Sequence, residues 1–226
     1  QTAITEDLSA RVGALKLRQQ QPLLQGKRLG LVVNQSSRLG HCHLVDVLSE
    51  LGLQVSVIFT PEHGFRGDAD AGAAVADSKD SRSGVPIYSL YGAQKAPTAA
   101  QLADVDVLLF DLQDVGTRFY TYLSTLHHVM QAAATAKLPL WVLDRPNPNG
   151  RWLDGPLLQR EFNSFVGMHP IPLLHGMTLG ELARMIKGEG WITGAKTLSL
   201  TVLPVSQYQR DLPYDLPVAP SPNLPN

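Results

Sequence analysis

The stretch Asp106-Val107-Leu108-Leu109-Phe110-Asp111-Leu112 is an almost unbroken apolar run. Such a run predicts a strand with both faces buried, which is typical of a parallel sheet covered by helices on both sides. Similar strand patterns lie at residues 27–34, 54–60, 85–90, 140–143 and 198–205. Helical patterns alternate with them, at residues 43–51, 98–103, 118–137 and 178–187. With right-handed crossovers, this alternation predicts an α/β fold: a doubly wound, mostly parallel, Rossmann-like sheet whose core covers about residues 26–150.

The same pattern divides the chain into three predicted segments. Residues 1–25 are predicted to form an N-terminal extension, residues 26–215 a Rossmann-like α/β domain, and residues 216–226 a link. The link is rich in proline, a composition typical of a linker or an extended crossing. We therefore expect it to lead into a C-terminal domain of the same protein that is absent from this chain.

Composition and charge exclude several classes of protein. The formal net charge of −1 argues against a nucleic-acid partner, which needs an excess of basic residues. No apolar run approaches the roughly 20 residues that a membrane-spanning helix requires. The single cysteine, Cys42, cannot form an internal disulfide, and we interpret it as a small residue near a helix start rather than a metal ligand. The first strand is not followed by Gly-x-Gly-x-x-Gly, the main sequence motif of dinucleotide-binding sites. Its absence argues against a dinucleotide-binding role.

Polar side chains follow four of the predicted strands. In an open parallel sheet, ligands bind beyond the carboxyl ends of the strands. Capping or solvation explains polar residues at any one end, but convergence at four ends favours a functional site. For Asp144 and Arg145 we expect a structural ion pair. The residues at the four ends are Asn34, Gln35 and Ser36; Glu62, His63, Arg66, Asp68 and Asp70; Asp111, Gln113, Asp114, Thr117 and Arg118; and Asp144, Arg145 and Asn147.

These carboxylates suit hydrolysis of a glycosidic bond. That reaction uses a carboxylic acid to protonate the leaving oxygen and a second carboxylate, or an equivalent group, at the anomeric side. Glu62 suits the acid, because it follows an apolar strand where partial burial favours the neutral form; a salt bridge to Arg66 is the alternative. Asp111 and Asp114 are candidates for the second carboxylate, with capping of loop amides as the alternative for Asp111. Asp154 lies in a later loop that we expect to fold back over the rim.

Other residues near the strand ends suit recognition of an acidic sugar. Arg118 and Arg66 have the planar guanidinium that holds a carboxylate bidentately. His169 and His175 are candidate hydrogen-bond donors, although a buried histidine with satisfied nitrogens is the commoner role. Aromatic side chains suited to stack on a pyranose ring, or equally to pack in the core, are Tyr88, Tyr91, Phe119, Tyr120 and Tyr122.

Five stretches carry a resemblance to a known family: residues 61–67 (PEHGFRG), 88–92 (YSLYG), 111–122 (DLQDVGTRFYTY), 144–148 (DRPNP) and 166–172 (VGMHPIP). Together they resemble the NamZ-type exo-β-N-acetylmuramidases, over nearly the whole chain from about Gly26. The resemblance implies a hydrolase without cofactor that releases N-acetylmuramic acid from the non-reducing ends of peptidoglycan fragments. It also implies a catalytic centre on the Rossmann-like domain and a C-terminal domain that closes the cleft.

The resemblance also implies roles for individual residues. Glu62 matches the family's catalytic glutamate, and Asp114 and Asp154 are candidates for its partner. We expect the preference for muramic acid over glucosamine to depend on Arg118, ahead of Arg66. The expected substrate-binding residues are Asn34, His63, Arg66, Asp111, Gln113, Arg118, Tyr120, Asn147 and His175, and no metal ligands are expected.

Two alternatives to a glycosidase stay open. The first is a metal-assisted hydrolase that uses His63, Asp68, Asp70 and Asp111, and the second is a non-catalytic muropeptide-binding module. We expect an extracytoplasmic location, periplasmic or secreted, with a cytoplasmic one as the alternative. We also expect residues 1–226 alone to fold but to turn over substrate more slowly than a protein with both domains, because a rim of strand ends is only one wall of a cleft.

Overall fold

The computed structural model describes residues 11–62, 64–65 and 78–220. Its strands are β1 (Arg28–Val33), β2 (Arg38–Leu39), β3 (Cys42–His43), β4 (Gln54–Thr60), β5 (Ser78–Lys79), β6 (Pro86–Ser89), β7 (Val107–Asp111), β8 (Leu140–Leu143) and β9 (Leu200–Leu203). Its α-helices are α1 (Leu17–Leu24), α2 (Leu44–Glu50), α3 (Ala99–Leu102), α4 (Tyr122–Ala136) and α5 (Leu179–Gly188). The predicted strands and helices are therefore all present, with shifts at some ends.

The main sheet has the predicted doubly wound topology. Within the described residues it has seven strands in the order β5-β6-β4-β1-β7-β8-β9, and β2 and β3 form a separate small hairpin. All neighbours in the main sheet are parallel except β5, which pairs antiparallel with β6 at one edge. Numbered along the chain, the parallel strands follow the order 3-2-1-4-5-6 of Rossmann folds. The predicted fold class is confirmed, and the strand order reverses between β1 and β7.

Both faces of the sheet are covered, as the apolar run of β7 predicts. Leu108 and Phe110 belong to one buried cluster, which includes side chains of α3, α4 and α5. Val107 and Leu109 belong to the other, which includes side chains of α1 and α2. Alternate residues of one strand therefore pack against opposite helical layers. Burial of each side chain of this size stabilises the folded state by about 1.5–3 kcal/mol.

Two helices begin at the residues that their capping sequences predict. Thr98 caps α3 and Thr178 caps α5, each through a reciprocal capping box. In the second box, Thr178 Oγ1 accepts a hydrogen bond from the Glu181 amide at 3.2 Å, and Glu181 Oε2 accepts one from the Thr178 amide at 3.0 Å. The cap satisfies amides that the first turn of a helix leaves without partners.

The long helix predicted from residue 118 begins only at Tyr122. The preceding residues pair with a distant loop instead: the Arg118 amide donates to the Leu173 carbonyl at 2.8 Å, and Thr117 forms a β-bridge with Leu174. A turn from Thr117 to Tyr120 completes the segment. The helical prediction was wrong here because tertiary hydrogen bonds outweigh local periodicity.

The described part of the predicted N-terminal extension packs on the domain. Leu17 and Leu24 of α1 are fully buried, and the Gly13 amide donates to the Asp144 carbonyl at 2.8 Å. Cys42 is exposed and lies just before α2, in agreement with its interpretation as a residue near a helix start. Among the helices that the structure describes, none is long and apolar enough to cross a membrane.

Candidate active site

The candidate site lies where β1 and β7 end, beside the point at which the strand order reverses. Asn34 directly follows β1, and its side chain is fully engaged: Oδ1 accepts from the Ser36 amide at 2.9 Å, and Nδ2 donates to the Tyr122 hydroxyl at 2.9 Å. Ser36 Oγ in turn accepts a hydrogen bond from the Gln113 amide at 3.1 Å. Asn34, expected to bind substrate, therefore joins the loops after β1 and β7.

Gln113 and Asn147, also expected to bind substrate, are buried and hydrogen-bonded within the protein. Gln113 Nε2 donates to the Pro146 carbonyl at 2.8 Å, and its Oε1 accepts from the Tyr214 hydroxyl at 3.1 Å. Asn147 Nδ2 donates to the Met177 carbonyl at 2.9 Å, and its Oδ1 accepts from the Asn149 amide at 2.8 Å. These amides fix the rim loops against each other.

Asp111 is held by an arginine rather than exposed to a ligand. Arg145 Nη2 lies 2.9 Å from Asp111 Oδ2, and Arg145 Nε lies 2.5 Å from Asp111 Oδ1. Both residues are almost completely buried, at 5% and 0% exposure. A second bond from Arg145 Nη2 to the Arg38 carbonyl, at 3.0 Å, ties in the β2 strand. This bidentate pair gives Asp111 a structural role, which leaves Asp114 as the candidate carboxylate in this segment.

The expected ion pair between Asp144 and Arg145 does not form between their side chains. Asp144 instead faces the start of α5, where Oδ2 accepts from Thr178 Oγ1 at 2.7 Å and Oδ1 accepts from the Gly180 amide at 2.9 Å. Burial raises the pKa of Asp144 to about 6, against the opposing effect of these hydrogen bonds. The prediction was wrong because the guanidinium points to the carboxylate of the neighbouring strand.

Glu62 follows β4 and is partly buried at the rim. Its Oε2 accepts a hydrogen bond from Thr121 Oγ1 at 2.9 Å. Burial, followed by the neighbouring Glu62 carboxylate, raises the pKa of Tyr91, which lies beyond β6. Glu62 therefore accepts a hydrogen bond from Thr121 and has the Tyr91 side chain in its surroundings, and Thr121 is a contact that the sequence did not single out.

Glu62 and Asp114 surround the same pair of tyrosines. Burial raises the pKa values of Tyr120 and Tyr122, and both carboxylates contribute to each shift. The two rings pack edge to face with centroids 4.6 Å apart. Tyr122 is fully buried and bound to Asn34, so it does not stack on a ligand. The Tyr120 hydroxyl lies near that of Tyr122 without hydrogen-bond geometry, and it has no partner among the described residues.

Asp114 combines burial with an acceptor that is left open. It is 5% exposed, and its Oδ2 accepts from the Gly116 amide at 2.9 Å. Its Oδ1 has no hydrogen-bond partner among the residues that the structure describes. Leaving a buried acceptor without a partner costs about 1–3 kcal/mol, and such an atom in a native protein calls for an explanation such as a catalytic role.

His175 faces Asp114 at the edge of a cavity. The Met177 amide donates to His175 Nδ1 at 3.3 Å, which places the proton of the neutral ring on Nε2. Nε2 lies 3.5 Å from Asp114 Oδ2, close enough for an electrostatic contact but too far for a well-formed hydrogen bond. The cavity, about 620 Å³, is also lined by Leu153, Met177 and Arg210. Its volume is within the range of small-molecule sites.

Asp154 lies on a loop that folds back toward the rim, as expected. Its amide donates to the Leu174 carbonyl at 3.1 Å, and the Leu174 amide donates to the Asp154 carbonyl at 2.9 Å. The side chain is exposed, and Oδ1 accepts from the Gly155 amide at 2.7 Å. The strand-like pairing places Asp154 next to the segment that carries His175.

Arg118 binds two loop carbonyls through one nitrogen. Nη1 donates to the Ile171 carbonyl at 2.6 Å and to the Pro156 carbonyl at 2.7 Å. This part of the guanidinium therefore holds the rim loops together. His63 and Arg66, the other expected binding residues of this group, lie outside the described residues.

His169 lies in a buried histidine pair. His169 Nε2 is 2.9 Å from His127 Nδ1, and the His169 ring packs on Trp191. Burial lowers the pKa of His127 to about 4 and that of His169 to about 3, so both rings are neutral near pH 7. Only one nitrogen of His169 has a partner among the described residues, so the expected buried histidine is present but half satisfied.

The described residues contain no group of three or more His, Cys, Asp or Glu side chains placed to hold a metal ion. Of the four residues in the metal-assisted alternative, His63, Asp68 and Asp70 lie outside the described ranges. The fourth, Asp111, is paired with Arg145.

Comparisons with known proteins agree with this architecture. A family model described as "Exo-beta-N-acetylmuramidase NamZ, N-terminal" matches residues 29–226. The chain is 47% identical over 209 residues to the peptidoglycan beta-N-acetylmuramidase NamZ of Bacillus subtilis (strain 168), an alignment that covers 89% of this chain and 50% of that protein.

Two solved structures of DUF1343 family proteins from Bacteroides fragilis NCTC 9343 share the fold. The first has a TM-score of 0.85 and 43% identity, covering 95% of this chain and 57% of that one. The second has a TM-score of 0.81 and 38% identity, covering 90% of this chain and 52% of that one. The chain thus spans about half the length of the relatives it matches.

Proposed function

Because this chain belongs to the NamZ family of exo-β-N-acetylmuramidases, which it matches over residues 29–226, we propose that it carries the catalytic centre of a glycoside hydrolase. The proposed reaction releases N-acetylmuramic acid from the non-reducing ends of peptidoglycan fragments. The relative from Bacillus subtilis, at 47% identity, supports this substrate class.

One observation carries the assignment of the site: at the rim where Glu62 lies, the buried carboxylate of Asp114 has an oxygen with no hydrogen-bond partner among the described residues. Two carboxyl groups at one rim are what glycosidic hydrolysis requires. Glu62 has the accessible position, and Asp114 has the unpartnered oxygen. Of the expected residues, these two are therefore the best candidates for the catalytic carboxyl groups.

In the proposed mechanism, Glu62 donates its proton to the glycosidic oxygen as the bond from that oxygen to the anomeric carbon breaks. The Thr121 hydroxyl, 2.9 Å from Glu62 Oε2, orients the carboxyl group. A water molecule supplies the oxygen that bonds to the anomeric carbon, and Asp114, with His175 beside it, is the base that takes the proton of this water; Asp154 is the second candidate for that role. Proximity to His175 favours Asp114, whose surroundings are more enclosed.

We also propose that a C-terminal domain of the same protein forms the opposite wall of the cleft and that the protein works outside the cytoplasm. Two observations support the second wall: the relatives are about twice as long, and the rim loops expose many apolar side chains. Those that are at least half exposed include Phe119, Trp152, Leu153, Leu157, Phe162 and Val166. The proposed peptidoglycan substrate supports an extracytoplasmic location.

Hydrolysis of 4-nitrophenyl glycosides separates this function from its alternatives. We expect the complete protein to cleave the N-acetylmuramide faster than the N-acetylglucosaminide, at a rate unchanged by a chelator, because the proposed acid and base are side chains. Loss of activity with chelator, restored by a divalent metal, would support the metal-assisted alternative. Binding of the muramide without turnover would support the muropeptide-binding module.

A further inference from the structure

The loop after β6 places a lysine over two aromatic rings at the rim. Lys95 Nζ lies 4.1 Å from the ring centroid of Phe165 and 4.8 Å from that of Tyr91. The two rings come from separate loops and have centroids 6.1 Å apart. Ser124 Oγ donates to the Phe165 carbonyl at 2.5 Å, which anchors the second loop on α4. The ammonium group is therefore positioned by two fixed rings.

Lys95 has no carboxylate partner in the part of the chain that the structure describes. No Asp or Glu oxygen of the described residues lies within 4.0 Å of its Nζ. The side chain is nevertheless partly buried. Because the contacts of Lys95 Nζ with the described residues are to ring faces, its three N–H donors are open to an anion on this part of the structure.

The position of Lys95 connects it with the proposed acid. Tyr91, under Lys95, is also the residue whose pKa is raised by burial and by the Glu62 carboxylate. Tyr91 thus contacts the lysine and lies in the electrostatic surroundings of the glutamate.

Other cations near the rim are engaged within the protein. Arg145 is paired with Asp111, and Arg210 binds Glu181 at 2.7 Å. Arg118 uses Nη1 for two loop carbonyls. Arg151 is exposed and stacks on Trp152 beside the cavity of His175. Lys95 is therefore the described cation that combines a fixed position, free donors and contact with a neighbour of Glu62.

We propose that Lys95 is the specificity-determining residue that binds the carboxylate of the lactyl ether on the muramic acid residue. This rests on the proposed function, since the lactyl group distinguishes that substrate. Nζ donates a charge-assisted hydrogen bond to the carboxylate, while Tyr91 and Phe165 hold the ammonium group in place. In this proposal Lys95, rather than Arg118, recognises the lactyl carboxylate. Arg118 holds the loops that carry Pro156 and Ile171.

The test compares Lys95→Met and Lys95→Arg with the unchanged complete protein on the 4-nitrophenyl glycosides of N-acetylmuramic acid and N-acetylglucosamine. Lys95→Met is expected to lower kcat/KM on the muramide by about 10- to 150-fold, the range for loss of one charged hydrogen bond. On the glucosaminide the change should stay below about twofold, because there is no carboxylate to lose. Lys95→Arg should keep most of the preference.

Two controls isolate the contact. Lys196→Met, at the 3₁₀ turn before β9 and away from the strand-end rim, should leave both substrates unaffected. A muramide whose lactyl group is converted to a neutral amide should be cleaved equally by the unchanged protein and by Lys95→Met. That arm separates the lactyl carboxylate from any other anion, because only the former is removed.

Each outcome bears on one proposal or both. An unchanged preference in Lys95→Met, or its disappearance in Arg118→Gln instead, would overturn the role of Lys95 while leaving the hydrolase intact. Equal losses on both glycosides would also overturn it, since they indicate a structural role. Failure of the unchanged protein to cleave either glycoside or a natural disaccharide would overturn the proposed function, and with it this inference.

Discussion

Replacing Glu62 with Gln is expected to lower turnover of a muramyl substrate by at least about 10²-fold, the effect typical of losing a general acid. The amide keeps the size of the side chain and can still accept the hydrogen bond from Thr121 Oγ1. It cannot give a proton to the leaving oxygen. The variant should therefore bind substrate nearly as well as the unchanged protein and lose mainly kcat.

The leaving group makes this prediction sharper. Nitrophenolate departs with little help from an acid, whereas a sugar hydroxyl needs protonation. The loss in Glu62→Gln should therefore be larger for a natural disaccharide than for the 4-nitrophenyl glycoside. Glu50→Gln, at the exposed end of α2, is a matched control that should have no effect. Near-normal hydrolysis of both substrates by Glu62→Gln would show that Glu62 is not the acid.

The second large effect concerns stability. Arg145→Met is expected to lower the free energy of unfolding by about 3–5 kcal/mol, because it leaves the Asp111 carboxylate buried without its partner. The two side chains are 3% and 0% exposed, so water cannot replace the lost bonds. The β2 strand also loses its bond from Arg145 to the Arg38 carbonyl. Urea unfolding of the two proteins measures the difference.

A surface pair supplies the control for this measurement. Arg28 binds Asp104 and Asp106, but its side chain is 39% exposed. Arg28→Met should be much less destabilising than Arg145→Met, because exposed ion pairs contribute little to stability. Adding Asp111→Leu to Arg145→Met should recover part of the loss by removing the isolated charge. If Arg145→Met were no more destabilising than Arg28→Met, the buried pair would not have the structural role assigned to it.

The fold followed from local pattern because each strand carries its own signal. The apolar runs at β1, β4, β7 and β8 predicted strands buried on both faces, and parallel pairing placed their ends at one rim. Capping sequences located the starts of two helices. These features depend on residues that are close together in the chain, so they can be predicted from the sequence.

The roles of the polar rim residues could not be predicted from local sequence. Asp111 and Arg145 are 34 residues apart, and Gln113 and Tyr214 are 101 apart. Which polar groups pair within the protein and which stay open to a ligand depends on such distant contacts. A strand-end position therefore predicted the rim but did not distinguish Asp111, which is paired, from Asp114, which has an open oxygen.

The sequence also did not indicate the proposed role of Lys95, which depends on distant contacts. Its loop contains no charge motif, and the contact with Phe165 joins positions 70 apart in the chain (165 − 95). Tyr91, beneath Lys95, is one of several aromatic residues near the strand ends, and the sequence does not connect it with Lys95. The neighbour relation between Lys95, Tyr91 and Glu62 exists only in the folded rim.

We propose that this family member removes muramic acid from the ends of glycan chains. The most direct measurement follows the products formed by the complete protein from a peptide-free glycan oligomer that begins with N-acetylmuramic acid at its non-reducing end. Mass spectrometry of early time points should show free N-acetylmuramic acid and an oligomer shortened by one sugar, with neither product from Glu62→Gln. Internal fragments as the first products, or no release of N-acetylmuramic acid, would show that the protein is not an exo-acting muramidase.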